Sequence, residues 1–217
     1  MGLEQARFNM IEQQIRPWDV LDQTVLDTIA RMPREQFIDL RYQRLAYADT
    51  AVPLAHGQVM MHPKIEARML QALQVQATDK VLEVGTGSGY VTALLSKMAY
   101  HVYSVDIHDD FTREAGRRLD KLGCHNVTLE SGDAADGWRG HELFDVIAIT
   151  GSFPELPENF KLSMNRGGRL FVVTGQPPVM EAALFRRSGE NEWVQETLFE
   201  TELPMIINAR QPSSFVF

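Results

Sequence analysis

Cysteine is almost missing from this chain. Cys124 is the only one in 217 residues, which rules out an internal disulfide framework and suits a reducing compartment. Runs of lysine or arginine are missing as well, and the net charge is −8. An acidic chain without a basic stripe argues against a dedicated nucleic-acid surface. No stretch reaches the ~18 consecutive apolar residues of a membrane-spanning helix. The opening residues include Glu4, Gln5, Arg7 and Asn9 and hold no apolar secretory core, so cytoplasmic residence is the expectation. Internal repeats, low-complexity tracts and inter-domain linkers are also lacking. What is present is ordinary globular material, 44% hydrophobic and 23% charged. The length suits one domain over 1–217, with a helical preamble and loop over 1–78 and a sheet core over 79–217.

The chain is organised around Val81-Leu82-Glu83-Val84-Gly85-Thr86-Gly87-Ser88-Gly89-Tyr90. An apolar run breaks into a glycine-rich turn, and a helical pattern follows. Glycine supplies the positive φ of a tight turn and lets a ligand approach the backbone, and the helix start offers unpaired N–H groups. The third glycine comes one residue earlier than in the dinucleotide fingerprint G-x-G-x-x-G. Glycine triplets also mark plain strand-to-helix turns, but here Asp106 follows about 20 residues later at the end of a second apolar run, where a carboxylate can accept from ribose hydroxyls.

Before this stretch, residues 3–16 read as a helix with Leu3, Phe8, Ile11 and Ile15 on one face, ended by Pro17. Asp22 caps a second helix with Leu21, Val25, Leu26 and Ile29 as its stripe, and Pro33 stops it. A short piece over Arg34 to Leu40 follows. The preamble either covers the sheet and rims the ligand site or serves dimerisation. Asp49 to Pro63 has neither helical nor strand period, and a loop of this kind ahead of the organising strand is a place for function. Pro63 opens a helix buried through Ile65, Met69, Leu70 and Leu73.

From Asp79 strand and helix alternate. Strands are predicted at Lys80–Val84, His101–Asp106, Asn126–Glu130, Leu143–Ile149 and Arg169–Thr174. Tyr90, Leu94, Leu95 and Met98 mark one helix, and Phe111, Ala115, Leu119 and Leu122 another. Leu156–Met164 reads as a short helix. The outer charges Arg113, Arg117, Arg118 and Lys121 read as a solvated face. This rhythm predicts a doubly wound, mostly parallel α/β sheet with N-terminal helices. Glu181–Arg187 and Trp193–Glu200, joined by a turn at Ser188–Asn191, are predicted to finish it as an antiparallel hairpin, with an irregular tail over Leu203–Phe217.

Right-handed crossovers gather the loops after the first three strands at one edge. They bring together Gly85, Thr86, Gly87 and Ser88, then Asp106, then Gly132 and Asp133. With Glu83 and Asp106 adding negative charge, the site favours a cationic nucleoside, S-adenosyl-L-methionine, over a pyrophosphate cofactor such as NAD. His101, His108, His125 and His141 are scattered without ligand spacing, so no metal is expected.

The 81–90 stretch looks like the cofactor motif of Rossmann-like class I methyltransferases, and in detail it resembles the protein-L-isoaspartate O-methyltransferase family. Met32-Pro33-Arg34-Glu35-Gln36-Phe37 resembles an early segment of that family, and Asp49, Pro53, Gly57-Gln58 and Pro63 match its substrate-proximal loop. Gly132-Asp133, Phe144-Asp145-Val146-Ile147 and Gly167-Gly168 also fit, so the likeness covers about residues 20–175. It implies S-adenosyl-L-methionine as cofactor, bound by Glu83, Gly85–Ser88, Asp106, Gly132 and Asp133. The implied reaction is methyl transfer to the α-carboxylate of damaged isoaspartyl proteins, a repair step. The substrate-side candidates are Asp49, His56, Gln58, Met60, Met61 and His62.

Departures from the family pattern fall on the substrate side. Its Thr-Ile-Ser has become Val59-Met60-Met61, so the serine regarded as an active-site residue falls on Met61, whose thioether donates no hydrogen bond. Ala134 stands where the family has glycine, and Glu202-Leu203-Pro204-Met205-Ile206 replaces a C-terminal family segment. Three other readings stay open at this level. One is a methyltransferase with another acceptor, protein or small molecule, which His56 or His62 would position or serve as base. The others are a non-catalytic cofactor-binding module and an NAD-dependent dehydrogenase. The sequence leaves the oligomeric state unspecified.

Overall fold

The computed structural model describes residues 2–140 and 142–211; His141 and the last six residues of the expected tail lie outside them. Helix α1 (Leu3–Met10) runs into a π-helical turn at Ile11–Ile15 and a 3₁₀ turn at Arg16–Trp18. The wider π turn rotates the buried face. Met10, Ile11 and Ile15 are buried, whereas Leu3 and Phe8, expected on that face, are exposed. Asp22 caps α2 (Gln23–Arg31) by accepting from the Thr24 and Val25 N–H groups. Val25, Leu26 and Ile29 are buried, but Leu21 precedes the cap, escapes the helical period and stands exposed. Short 3₁₀ turns follow at Arg34–Phe37 and Leu40–Leu45.

The 49–63 stretch is a small antiparallel ribbon rather than a patternless loop. Strands β1 (Val52–Pro53) and β2 (Val59–Met60) pair across a 3₁₀ turn at Ala55–Gly57. Two-residue strands are too short to show a period. Helix α3 (Pro63–Leu73) then begins at proline and buries Ile65, Met69, Leu70 and Leu73 as expected, together with Glu66.

The main sheet contains β3 (Lys80–Val84), β4 (His101–Asp106), β5 (Val127–Ser131), β6 (Phe144–Phe153), β7 (Met164–Gln176), β8 (Val179–Arg187) and β9 (Trp193–Glu200). Their order is β5-β4-β3-β6-β7-β8-β9. All pairs are parallel up to β6–β7, and β8 and β9 close the sheet as an antiparallel hairpin. Helices α4 (Tyr90–Met98), α5 (Asp109–Lys121) and α6 (Glu158–Leu162) fill the crossovers. Strand β6 runs four residues past its expected end, and β7 starts at Met164, so Gly167-Gly168 lies inside an irregular strand.

Alternation along the strands sorts two apolar layers. Val81, Val102, Val146 and Ala148 pack with Ile15, Val25, Ile29, Leu70 and Leu94 on one face. Leu82, Val84, Ile147 and Ile149 pack with Phe160, Met164 and Ala209 on the other. The preamble helices thus share a core with the sheet, and the β-strand ends at Val84, Asp106 and Ser131 face a common edge.

Candidate functional site

Three turns leave that edge together. Gly85 N–H donates to Val105 O at 2.8 Å and Gly132 N–H to Asp106 O at 2.9 Å, so the ladder continues one residue past each strand. Gly85 has φ +97°, and a Cβ there would lie 2.3 Å from Thr150 Oγ1; only glycine fits. Gly89, with φ +83°, lets α4 approach Ala115 of α5, where a Cβ would sit 2.8 Å from the alanine Cβ. Asp106 is buried. Its Oδ2 accepts from Gly87 N–H at 2.9 Å and its Oδ1 from His108 N–H at 3.0 Å. A carboxylate has about four acceptor positions, so positions remain free toward the crevice.

An open crevice lies among these turns. Gly85, Gly87 and Asp106 form one side, and Gly132, Asp133 and Ala134 another. Ile107, His108 and Phe111 add a mostly apolar wall, Thr150 and Gly151 a floor, and Pro204 to Ile207 the far wall. Leu54, Gln58 and Val59 of the ribbon form the rim. The tail is held by a bridge between Ser152 and Met205 and by Ser152 Oγ donating to Leu203 O at 2.9 Å. Asp133 accepts from Ala135 N–H and from Asn208 Nδ2, both at 2.9 Å. Apolar walls matched to flat ring faces, beside an acceptor carboxylate with spare positions, fit an adenosine.

A smaller pocket adjoins the crevice and shares Leu54, Val59, Gly85, Gly87 and Thr150 with it. Met60, Met61, Glu66, Thr86, Ser88, Tyr90 and Val91 complete its walls. Thr86 Oγ1 lies 2.6 Å from Ser104 Oγ, and Ser88 Oγ accepts from Tyr90 N–H at 3.3 Å.

The expected site residues therefore separate into three groups, with Glu83 apart from all of them. Gly85, Gly87, Asp106, Gly132, Asp133 and Gln58 line the crevice, while Thr86, Ser88, Met60 and Met61 line the adjoining pocket. Glu83 lines neither. Strand alternation turns it under α4, where Oε2 accepts from Thr92 Oγ1 at 2.5 Å and Ser104 Oγ at 2.6 Å. Burial pushes its carboxyl up to about 8, opposed by those hydroxyls and reinforced by nearby Asp106. The third group lies on the outer side of the ribbon: Asp49 pairs with Lys64 at 2.8 Å and with His62 at 3.2 Å, and His56 pairs with Asp110 at 2.8 Å.

His56, His108 and Asp110 form a cluster whose ligand-type atoms lie within 4.8 Å of one another. The two imidazoles are stacked, 3.9 Å between centroids and 9° between planes. A metal ion must lie near the plane of each ring that ligates it, and no point satisfies both stacked rings. The cluster instead ties the ribbon tip to the start of α5.

Residues that sequence reasoning missed include Phe111, read only as core, Thr150, and the tail wall at Met205 and Ile206. A further omission is Arg34, which is 1% exposed. It pairs with Glu66 Oε2, donates to Met61 O at 2.7 Å and lies 4.8 Å over the Tyr90 ring. The family-like segment around Pro33-Arg34 was the available signal for it.

Comparison with known proteins matches residues 5–206 to the family described as Protein-L-isoaspartate(D-aspartate) O-methyltransferase. Protein-L-isoaspartate O-methyltransferase 2 of Pelobacter propionicus is 35% identical over 207 residues, covering 95% of this chain and 92% of the relative. Protein-L-isoaspartate O-methyltransferase of Koribacter versatilis is 37% identical, covering 86% of this chain and 84% of the relative. Among solved structures, a Plasmodium falciparum chain assigned as a protein-L-isoaspartate O-methyltransferase, in complex with S-adenosyl-L-homocysteine, superposes with TM-score 0.80 at 18% identity, over 95% of this chain and 98% of that one. A second structure named protein-L-isoaspartate O-methyltransferase gives 0.77 at 23% identity, over 94% and 65%. These two likenesses establish the doubly wound methyltransferase fold.

Proposed function

We propose a reaction from one premise: this chain belongs to the protein-L-isoaspartate O-methyltransferase family. It is an S-adenosyl-L-methionine-dependent methyltransferase of protein isoaspartyl residues, acting on protein or peptide substrates. The observation that carries the reading at the site is the adjacency of two spaces. A crevice suited to adenosine opens past the glycine turn into a pocket walled by Met60 and Met61.

In this reading Asp106 accepts from the ribose hydroxyls and Gly132, Asp133 and Ala134 border the adenine. Ile107 and Phe111 cover its faces, and the Gly85–Ser88 turn holds the part of the cofactor beyond the ribose. Bound S-adenosyl-L-methionine supplies an electrophilic methyl group on sulfur. The acceptor is an α-carboxylate, already ionised near neutral pH, so the chain has no base to provide. Its residues act by aligning the acceptor oxygen and excluding water. Gln58 at the rim and the buried thioethers of Met60 and Met61 take that part. Asp49, His56 and His62 hold the ribbon in place from outside. Glu83 works from beneath the turn, and none of the described residues is assigned a metal.

The chain acts as one domain, a reading supported by the apolar layer that preamble and sheet share. No helix among the described residues is long and apolar enough to cross a membrane. That fact and the lone cysteine support cytoplasmic residence, and the net charge of −8 supports a site without nucleic acid. The test is incubation with methyl-labelled cofactor and matched isoaspartyl and aspartyl peptides. Base-labile label in the isoaspartyl peptide alone is expected; none at high enzyme concentration would reject the substrate.

A further inference from the structure

The pocket beside the crevice contains a buried carboxylate oxygen with nothing to accept from. Glu66 stands in the first turn of α3 and is 1% exposed. Its Oε2 is taken by Arg34, while Oε1 has no hydrogen-bond partner. Leaving such an atom unpaired is costly, and an apolar pair in place of Arg34 and Glu66 would often be as stable. The surrounding walls do not answer it: Leu54, Val59, Met60, Met61 and Val91 carry no strong donor, and the hydroxyls of Thr86, Ser88, Tyr90 and Thr150 make no hydrogen bond to it.

The missing partner must be a donor, preferably cationic, that enters from the crevice. An isoaspartyl carboxylate is itself an acceptor and would be repelled. The cofactor's amino-acid tail carries an ammonium, with three N–H donors.

We propose that Glu66 is a cofactor-binding residue that accepts a hydrogen bond from the α-ammonium of S-adenosyl-L-methionine, with Arg34 fixing its orientation. The assignment rests on the methyltransferase reading above. Arg34 suits the task because it also grips Met61 O and lies over Tyr90, so one guanidinium ties together α3, the ribbon and α4. It also counters the burial that raises the Glu66 carboxyl to about 7, favouring the ionised form that an ammonium needs.

Calorimetric titration of the full chain with three ligands tests this. S-adenosyl-L-methionine and S-adenosyl-L-homocysteine both carry the ammonium; 5′-methylthioadenosine keeps the adenosine and sulfur but lacks the tail. Glu66→Gln is expected to weaken the first two about tenfold or more, the scale of one charged hydrogen bond, and to leave the third unchanged. Because Glu66→Gln strands the buried Arg34 charge, the double variant Arg34→Met/Glu66→Gln is titrated beside it and is expected to show the same tail-dependent loss. Unchanged affinities, or equal losses for all three ligands in both variants, would overturn the assignment. So would a variant that shifts only the KM of the isoaspartyl peptide. A wild-type chain that binds none of the three would overturn the methyltransferase reading, and this assignment with it.

Discussion

The Asp106 carboxylate already accepts from the backbone N–H groups of Gly87 and His108 and still faces the crevice. On the proposed function, Asp106→Ala therefore removes the ribose acceptor and releases the glycine turn together. A loss of cofactor affinity of roughly 100-fold is expected, the scale of two hydrogen bonds to a charged group, and titration measures it. Glu83 behaves differently because it lines neither the crevice nor the adjoining pocket. Its carboxyl is held near 8, so the folded chain binds that proton more tightly than the unfolded chain does. The resulting stability is complete below the ordinary value of 4.5 and drains away as pH rises toward 8, by a few kcal/mol. Glu83→Gln is expected to flatten the fall of Tm between pH 5 and 9, though Glu66, raised to about 7, leaves a smaller slope of the same sign. A variant as steep as wild type would show that another group carries the effect. That Asp106 would line the crevice was legible from its place at the end of β4. Glu83 was misplaced because the reading counted charge near the turn and overlooked that period two directs residue 83 away from the strand-end crevice.

At the scale of elements, the strands at 80–84, 101–106 and 193–200 were legible to the residue, since β-branched and aromatic runs bounded by turns carry their own signal. The ribbon and the tail were not, because long-range contacts shape both. Met61 is 4% exposed in the ribbon. Met61→Ser removes a packed thioether, at a cost of roughly 2 kcal/mol or more, and supplies the hydroxyl found in the family pattern. Lower Tm is expected with a several-fold lower KM for an isoaspartyl peptide; an unaltered KM would detach this position from the acceptor. The tail rests on Gly151, where a Cβ would lie 2.7 Å from Ile206 Cδ1 and 3.1 Å from Pro204 O. Gly151→Ala is expected to push that wall outward and weaken cofactor binding several-fold while the melting of the sheet changes little. Retained affinity would show that the wall contributes nothing to binding.

For the whole molecule, the mostly parallel sheet, its closing antiparallel hairpin and the edge that gathers the strand-end loops followed from the alternation of elements and crossover handedness, whereas the strand order did not. The joining of preamble to sheet was left open by the sequence, since an apolar stripe on a helix names no partner. Ile15, Val25 and Ile29 share one layer with Val81 and Leu94, so heat is expected to unfold the chain in a single transition with equal calorimetric and van't Hoff enthalpies. Two separated transitions would divide it near residue 78. The far wall of the crevice comes from residues 204–207, seated against the end of β6 long after that strand has left the ribosome. During translation, every strand of the sheet emerges before the binding cleft has all its sides. A chain cut after residue 200 would keep every strand of the sheet yet leave the nucleoside unclasped on that side.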